Sequence, residues 1–453
     1  TSLNLKNGNN SSDIELYATG NPDLVCIQVD DPSASYLSGW EKDATASFSD
    51  DCNWTYIPDD RFEDYLETHD ADNNNVAVGD PTSMGNGIAN DNFVKTANIE
   101  NVTDLFIGFQ GVTDLTGLEA FSALEVVFLF NNTLTDTDLD LTANTNLKRI
   151  EASSMGLTSV NITDLVGLER LEVSRNNLTS IDLSTNTALK DLIISTNTLS
   201  GLDISANILL EDLQIHETTL STIDVSANVN LTRILGSLNQ FTSLNLENNS
   251  LLETLSLGRN PFTSFDVSHL TNLEDLNLDE TNIASIDISK NANLVEFSAR
   301  NIDELVELNA RNGNNSNFIE FEVDGCPNLI CIEVDDPTAG YLTAPVWLKD
   351  NTASFSDDCN WTYIPDDNFE NYLETHDADG NNVSLGDATS MGNGIANDNY
   401  VTTTKIENVT NLFVAFQGIT DFTGIEEFAA LETFFGFSNV INTGLDLTYN
   451  TNL

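Results

Sequence analysis

The chain has 453 residues, and its 72 Asp+Glu against 16 Lys+Arg give a formal net charge of −56. That balance excludes a nucleic-acid binder, which needs a basic stripe to displace counterions from phosphate, and excludes attachment to an anionic membrane surface. Hydrophobic residues still make up 40 %, enough for a buried core, so the charge reads as high solubility, mutual repulsion at low salt and a capacity to collect divalent cations. No run of 18 apolar residues occurs, so direct membrane insertion is not expected.

Residues 1–52 read as the C-terminal end and cap of a preceding unit. Leu24–Pro32 (LVCIQVDDP) supplies a last strand, a loop carrying Trp40 covers it, and Cys26 and Cys52 flank the segment. The chain opens at Thr1 without a leader and stops at Leu453 in mid-pattern, which reads as a piece of something longer.

Residues 53–101 lack the 21-residue rhythm of the segment downstream and are expected to form an N-terminal cap. Ile57-Pro58-Asp59-Asp60 starts a helix: Asp stands at the cap, acids fill the first turn, and Phe62, Tyr65 and Leu66 share one face. Trp54, like Trp361 later, reads as a staple or plug. After the helix, His69 to Val76 (HDADNNNV) has D-x-D-x-N spacing, which resembles the first half of a calcium loop of EF-hand or dockerin type. The implied ligands are Asp70, Asp72, Asn74 and the Val76 carbonyl, with Asn75 taking the turn. Where the pattern expects Glu, Pro81 stands, and Asp80 one place earlier is the substitute. The alternative is a solvated, Asx-rich turn.

Residues 102–328 hold a 21-residue repeat that runs without slippage over seven steps: Leu147, Leu168, Leu189, Leu210, Leu231, Leu252, Leu273 and Leu294 share one phase. Within a repeat, Leu168, Leu171, Val173, Asn176 and Leu178 spell LxxLxLxxNxL, which resembles the leucine-rich repeat. The LxL alternation makes a short strand with its apolar residues inward. Asn176, Asn197, Asn239 and Asn260, with Thr218 and Thr281 in the same phase, should satisfy backbone groups at the turn leaving the strand. Asn186, Asn207, Asn228, Asn249 and Asn291 should do so at the opposite turn. Each repeat buries roughly six apolar side chains at about 1.5–3 kcal/mol each, against about 1–2 kcal/mol of backbone entropy per residue. One repeat alone loses that contest, so only stacking stabilises it.

Residues 329–359 form a C-terminal cap like the first, with Cys331, Trp347 and Cys359; Cys326 has no counterpart and reads as a free thiol. Residues 360–408 are the N-terminal cap of the next unit and 409–453 the start of its solenoid. Thr45–Asp60 is identical to Thr352–Asp367, and Thr82–Asn92 to Thr389–Asn399, in each case 307 residues on. The second calcium-like loop offers Asp377, Asp379, Asn381, Val383 and Asp387, with Asn382 for the turn and Ala388 at the twelfth place. The recurring cysteine pairs Cys26/Cys52 and Cys331/Cys359 read as one disulfide per unit in an oxidising compartment, the alternative being reduced buried thiols.

The expected fold is therefore a leucine-rich repeat solenoid of parallel strands, with small helical and loop N-caps and disulfide-closed C-caps. The four His (His69, His216, His269, His376) sit at no catalytic spacing with Ser, Cys or Asp, and no phosphate loop follows a strand, so no enzyme is expected. The outward positions after each lead leucine, such as Glu169-Arg170 and Lys190-Asp191, lean acidic and show no aromatic row of the kind that holds sugar rings. The whole combination resembles secreted leucine-rich repeat proteins of Bacteroidota, often cargo of type IX secretion. The resemblance implies a non-enzymatic structural or adhesive protein at the cell surface, a tandem rod or filament built with other copies or units of itself. The other reading is a module whose strand face holds a glycan or a surface protein.

Overall fold

The computed structural model describes all residues except Thr1, Ser12, Asp13 and Asp23. It divides into two compact units: Thr1–Ala284 with Lys290–Glu304 and Asn317–Cys326, and Ser285–Ser289 with Leu305–Ser316 and Pro327–Leu453.

In the first unit, strands of mostly three residues run from Asp104–Phe106 to Glu320–Val323 as one parallel sheet. Register advances by one repeat per strand, so Arg170, Leu171 and Glu172 pair with Asp191, Leu192 and Ile193. The pleat sends the middle residue inward: Leu105, Val127, Ile150, Leu171 and Leu192 are fully buried, and their neighbours face out.

The asparagine ladder bonds as its phase implies. Asn176 Nδ2 donates to the Ala152 and Val173 carbonyls, both at 2.9 Å, and Asn176 Oδ1 accepts from Met155 N–H and Leu157 N–H. One side chain thus closes its own turn and clamps the repeat before it. Thr218 and Thr281 reach only one carbonyl each, those of Ile215 and Leu278. On the opposite turn Asn207 Nδ2 donates to Leu183 O and Asn186 O, and Asn228 to Ile204 O and Asn207 O.

The N-cap of this unit pairs Trp54–Tyr56 antiparallel with Phe93–Lys95 and adds helices α1 (Asp60–Thr68) and α2 (Thr96–Ile99). Asp59 caps α1, one carboxylate oxygen accepting from Arg61 N–H and Phe62 N–H. Its other oxygen accepts from Thr113 N–H, Thr113 Oγ1 and Asp114 N–H, which ties the helix to the solenoid. Phe62, Tyr65 and Leu66 are buried as the helical face requires, and Phe62 stacks on Phe121. Upstream, the parallel strands Ser2–Asn4, Cys26–Gln28 and Ser47–Ser49 enclose Leu24, Ile27, Val29, Leu37 and Trp40, and Cys26 is bonded to Cys52.

The second unit repeats these devices. Ser285–Asp287, Glu307–Asn309, Cys331–Glu333 and Ser354–Ser356 form a parallel sheet closed by the Cys331–Cys359 disulfide. Helices α3 (Asp367–Thr375) and α4 (Thr403–Ile406) come next, with Phe369, Tyr372 and Leu373 in a core shared with Leu412, Phe422 and Phe428. The first two solenoid strands, Asn411–Phe413 and Thr433–Phe435, pair in parallel. Cys326, in the first unit, is buried outside both disulfides, and its thiol donates to Ala299 O.

Candidate functional site

The calcium-like loops fold as tight Asx turns. Asp70 Oδ1 accepts from Asp72 N–H at 3.0 Å and Asn74 N–H at 2.9 Å, and the Asn74 side-chain amide donates to both Asp70 oxygens. These bonds, those from Asn74 first, hold the Asp70 carboxyl below its usual range. The turn itself differs from expectation: Asn73, with φ 61°, and Gly380, with φ 78°, take the left-handed position assigned to Asn75 and Asn382. Both loops share the local Asx bonds to Asp70 and Asp377, which set the turn with or without a side chain at this place. In the first loop Asn73 Nδ2 also donates to Asp104 O, and Asn73 Oδ1 accepts from Tyr65 Oη and Phe106 N–H, so this residue docks the loop on the first strand.

Val76 donates its N–H to Thr68 O, and Asp80 Oδ1 accepts from both Thr82 N–H and Thr82 Oγ1. Asp80 lies near enough to Asp70 to feel its charge; Asp72 is exposed and lends Asp70 only its N–H among the bonds that define the turn. Asp377, Asp379, Asn381, Val383 and Asp387 repeat the arrangement. Among the described residues no three acidic, histidine or cysteine side chains are gathered as a metal cluster. His69 and His376 end their helices stacked on Tyr65 and Tyr372, with ring centroids 3.9 Å apart. Trp54 and Trp361 are half-buried, their indole N–H groups donating to Asp51 O and Asp358 O.

Two features escape sequence reasoning, and the first lies in the caps. Glu63 and Glu67 of α1 are fully buried. Glu63 accepts from Asp91 N–H and Asn92 N–H, both at 3.0 Å, and Glu67 from Asn86 N–H and Gly87 N–H. A Cβ on Gly85 would stand 2.1 Å from the Glu67 carboxyl, so glycine is needed there. Burial, with the neighbouring Asp91 charge, pushes the Glu63 carboxyl up to about 7, and Glu370 in the second cap goes the same way. The glutamates are staples that hold the following loop against the helix.

The other feature lies on the exposed strand face, ahead of the outward positions read from the sequence. On the first two strands Phe106 and Phe128 point outward and stack at 4.5 Å, while Phe109 and Phe130 meet edge to face at 5.2 Å. Arg149 lies over the Phe128 ring at 5.0 Å. Phe413, Phe416, Phe435 and Phe437 rebuild the pattern in the second unit, with a stacked pair at 4.8 Å and an edge contact at 5.2 Å. Phe109 and Phe416 are 72 % and 73 % exposed. The signal was partly present: strand parity turns Phe106, Phe128 and Phe130 outward, while Phe109 is turned out by the left-handed turn after its strand, and Phe in a strand reads first as core.

Further along the same sheet, ion pairs join Arg149 to Glu151, Arg170 to Glu172 and Asp191, and Arg233 to Asp212. Beyond them Asp275, Glu296 and Glu320 stand in register on neighbouring strands. Burial and the facing carboxylates raise the Asp275 and Glu320 carboxyls.

No protein-family model and no curated protein matches the sequence. Among solved structures, the functional domain of InlJ from Listeria monocytogenes, described as including a cysteine ladder, aligns over 88 % of this chain and 74 % of its own, with a TM-score of 0.53 at 21 % identity. The internalin InlF from the same species aligns over 67 % of this chain and 96 % of its own, with a TM-score of 0.38 at 17 % identity. YopM from Yersinia pestis, a leucine-rich effector protein, covers 47 % of this chain and 60 % of its own, with a TM-score of 0.39 at 18 % identity. The fold is thus a leucine-rich repeat solenoid.

Proposed function

We propose that the chain is a non-enzymatic extracellular binding protein, built of tandem units that each offer the face of a parallel sheet to a protein partner. The observation that carries this reading is the outward row from Phe106 to Glu322, which combines an aromatic end, an ion-paired centre and an acidic end on one regular surface. Two disulfides support an oxidising compartment. The test is a panel of purified surface proteins and glycans probed with the whole chain and with Gln214→Lys/Ser256→Lys, which changes the middle of the face. Saturable protein binding lost in the variant is the expected result; binding indifferent to the variant sinks the reading.

The return of a full cap-repeats-cap sequence after 307 residues favours a second role as a rod or filament of surface-exposed units. Electron microscopy of native material should then show an axial repeat of one unit, and isolated particles alone would remove it. Calcium in the Asp70 and Asp377 loops rests on their D-x-D-x-N spacing. A melting temperature that rises with calcium and falls with chelator supports it; no shift, with Asp72→Ala silent, removes it.

A further inference from the structure

Resting on the strand face as a binding surface, we infer that the phenylalanine quartet at the start of each solenoid is the anchor site for a cationic protein partner that inserts an apolar side chain there. Three observations carry this.

First, the quartet recurs whole. Val127 and Leu129 on the inward side become Phe434 and Gly436 in the second copy, while Leu105 stays leucine at Leu412 and all four of Phe106, Phe109, Phe128 and Phe130 are Phe again. Packing of the buried positions therefore does not by itself dictate the four rings.

Second, Phe109 and Phe416 sit at φ 61° and 62°, a left-handed conformation that a bulky side chain adopts only at a cost. Later repeats make the same left-handed turn with residues as varied as Asn131, Arg175, Glu217 and Leu238, so the turn belongs to the repeat and the choice of Phe does not. Aromatic rings stand at this turn in the first repeat of each unit, and both are exposed.

Third, the surroundings choose the partner. Phe106 covers one face of Phe128, and Arg149 also lies over that ring, so the stacked rings are engaged with each other rather than free as platforms for a sugar. Phenyl rings also bring no hydroxyl or indole N–H for a glycan to bond. What remains is an apolar surface suited to an aliphatic or aromatic side chain. The chain as a whole carries −56, and toward the far end of the same sheet Asp275, Glu296 and Glu320 lie side by side, an arrangement that lysine or arginine on a partner relieves.

The probe is a synthetic peptide with a Phe-Leu pair between lysine blocks, titrated calorimetrically against the whole chain. A lysine-only peptide and neutral oligosaccharides serve as comparators. Binding at least about tenfold tighter than the lysine-only peptide, weakening from about 50 to 300 mM salt, is expected. Phe106→Ser/Phe109→Asn together with Phe413→Ser/Phe416→Asn should remove that tenfold advantage. Should this variant misfold by circular dichroism, Phe109→Asn/Phe416→Asn, which leaves both stacked pairs in place, should still weaken binding several-fold. No binding, equal binding of the lysine-only peptide, or oligosaccharide binding that these substitutions abolish overturns the proposal. If only Gln214→Lys/Ser256→Lys abolishes binding, the anchor falls and the face reading stands; if neither set matters, both fall.

Discussion

The two caps with their first repeats, residues 53–136 and 360–443, build one design twice with different side chains. Arg61 Nη1 donates to Gly111 O at 2.9 Å; its counterpart Asn368 reaches Gly418 O at 3.1 Å. Asn98 donates to Gly85 O, and Lys405 in the same place donates to Gly392 O. Asn73 and Gly380 make the same left-handed turn. Where the target is a backbone carbonyl, several residue types serve, because any donor of the right reach satisfies it. Where a buried carboxylate accepts from several donors at once, identity is fixed: Asp59 and Asp366, Glu63 and Glu370, Glu67 and Glu374. The exposed phenylalanines keep their identity while holding no backbone group, their rings meeting one another at the surface in both copies.

The equivalence can be broken most forcefully at the helix caps. Asp59→Ala and Asp366→Ala each remove a cap and leave solenoid N–H groups without an acceptor, for about 2–4 kcal/mol of local stability. Hydrogen exchange at Phe62, Thr113 and Asp114, and at Phe369, Thr420 and Asp421, reads this out; costs differing by more than about 1 kcal/mol would mean the two caps are held differently.

Next comes acidity. Glu63 and Glu370 have carboxyls raised from 4.5 to about 7, chiefly by burial. A raised acid favours the folded state when protonated, so their contribution is complete below about 4.5 and lost as pH climbs through 7. Cap stability should fall between pH 5 and 8, and Glu63→Gln/Glu370→Gln should flatten the part of that fall that general charge repulsion does not cause. A wild-type slope unchanged in the variant would take the buried glutamates out of the account. Asp59 acts with the opposite sign: burial raises its carboxyl, but the Thr113 and Phe62 bonds outweigh this and lower it, so its support fails only in strong acid.

A smaller effect is expected at the strained turns. Phe109→Asn and Phe416→Asn should each stabilise by about 0.5–1 kcal/mol, seen as a higher denaturation midpoint, because Asn tolerates the left-handed region. A loss of stability would show that the rings are needed for packing. Smallest is Arg61→Asn, which copies the second cap and should change stability by less than about 0.5 kcal/mol.

How much of this was legible depends on the range of each interaction. The solenoid and its asparagine ladders could be read because their determinants recur every 21 residues and bond one repeat away. The helix start could be read because a cap is local. Glu63 and Glu67 could not: in a short helix they read as solvated, and only a loop some 20 to 29 residues downstream buries them. The turn at Asn73 was misplaced although its bonds to Asp70 are local, and its docking on a strand 31 residues away could not be read at all. The aromatic row was missed because composition marks Phe as interior, and pleat parity overrules it.

The clamp made by each ladder asparagine has a consequence for how such a chain changes over time. Asn176, Asn197 and Asn260 bond only their own repeat and the one before. Gain or loss of a whole 21-residue copy by unequal recombination would leave every such clamp with a partner of the same kind. Length is then an inherited variable that can drift almost without cost to folding, and the interval between one aromatic end and the next can be reset in steps of one repeat.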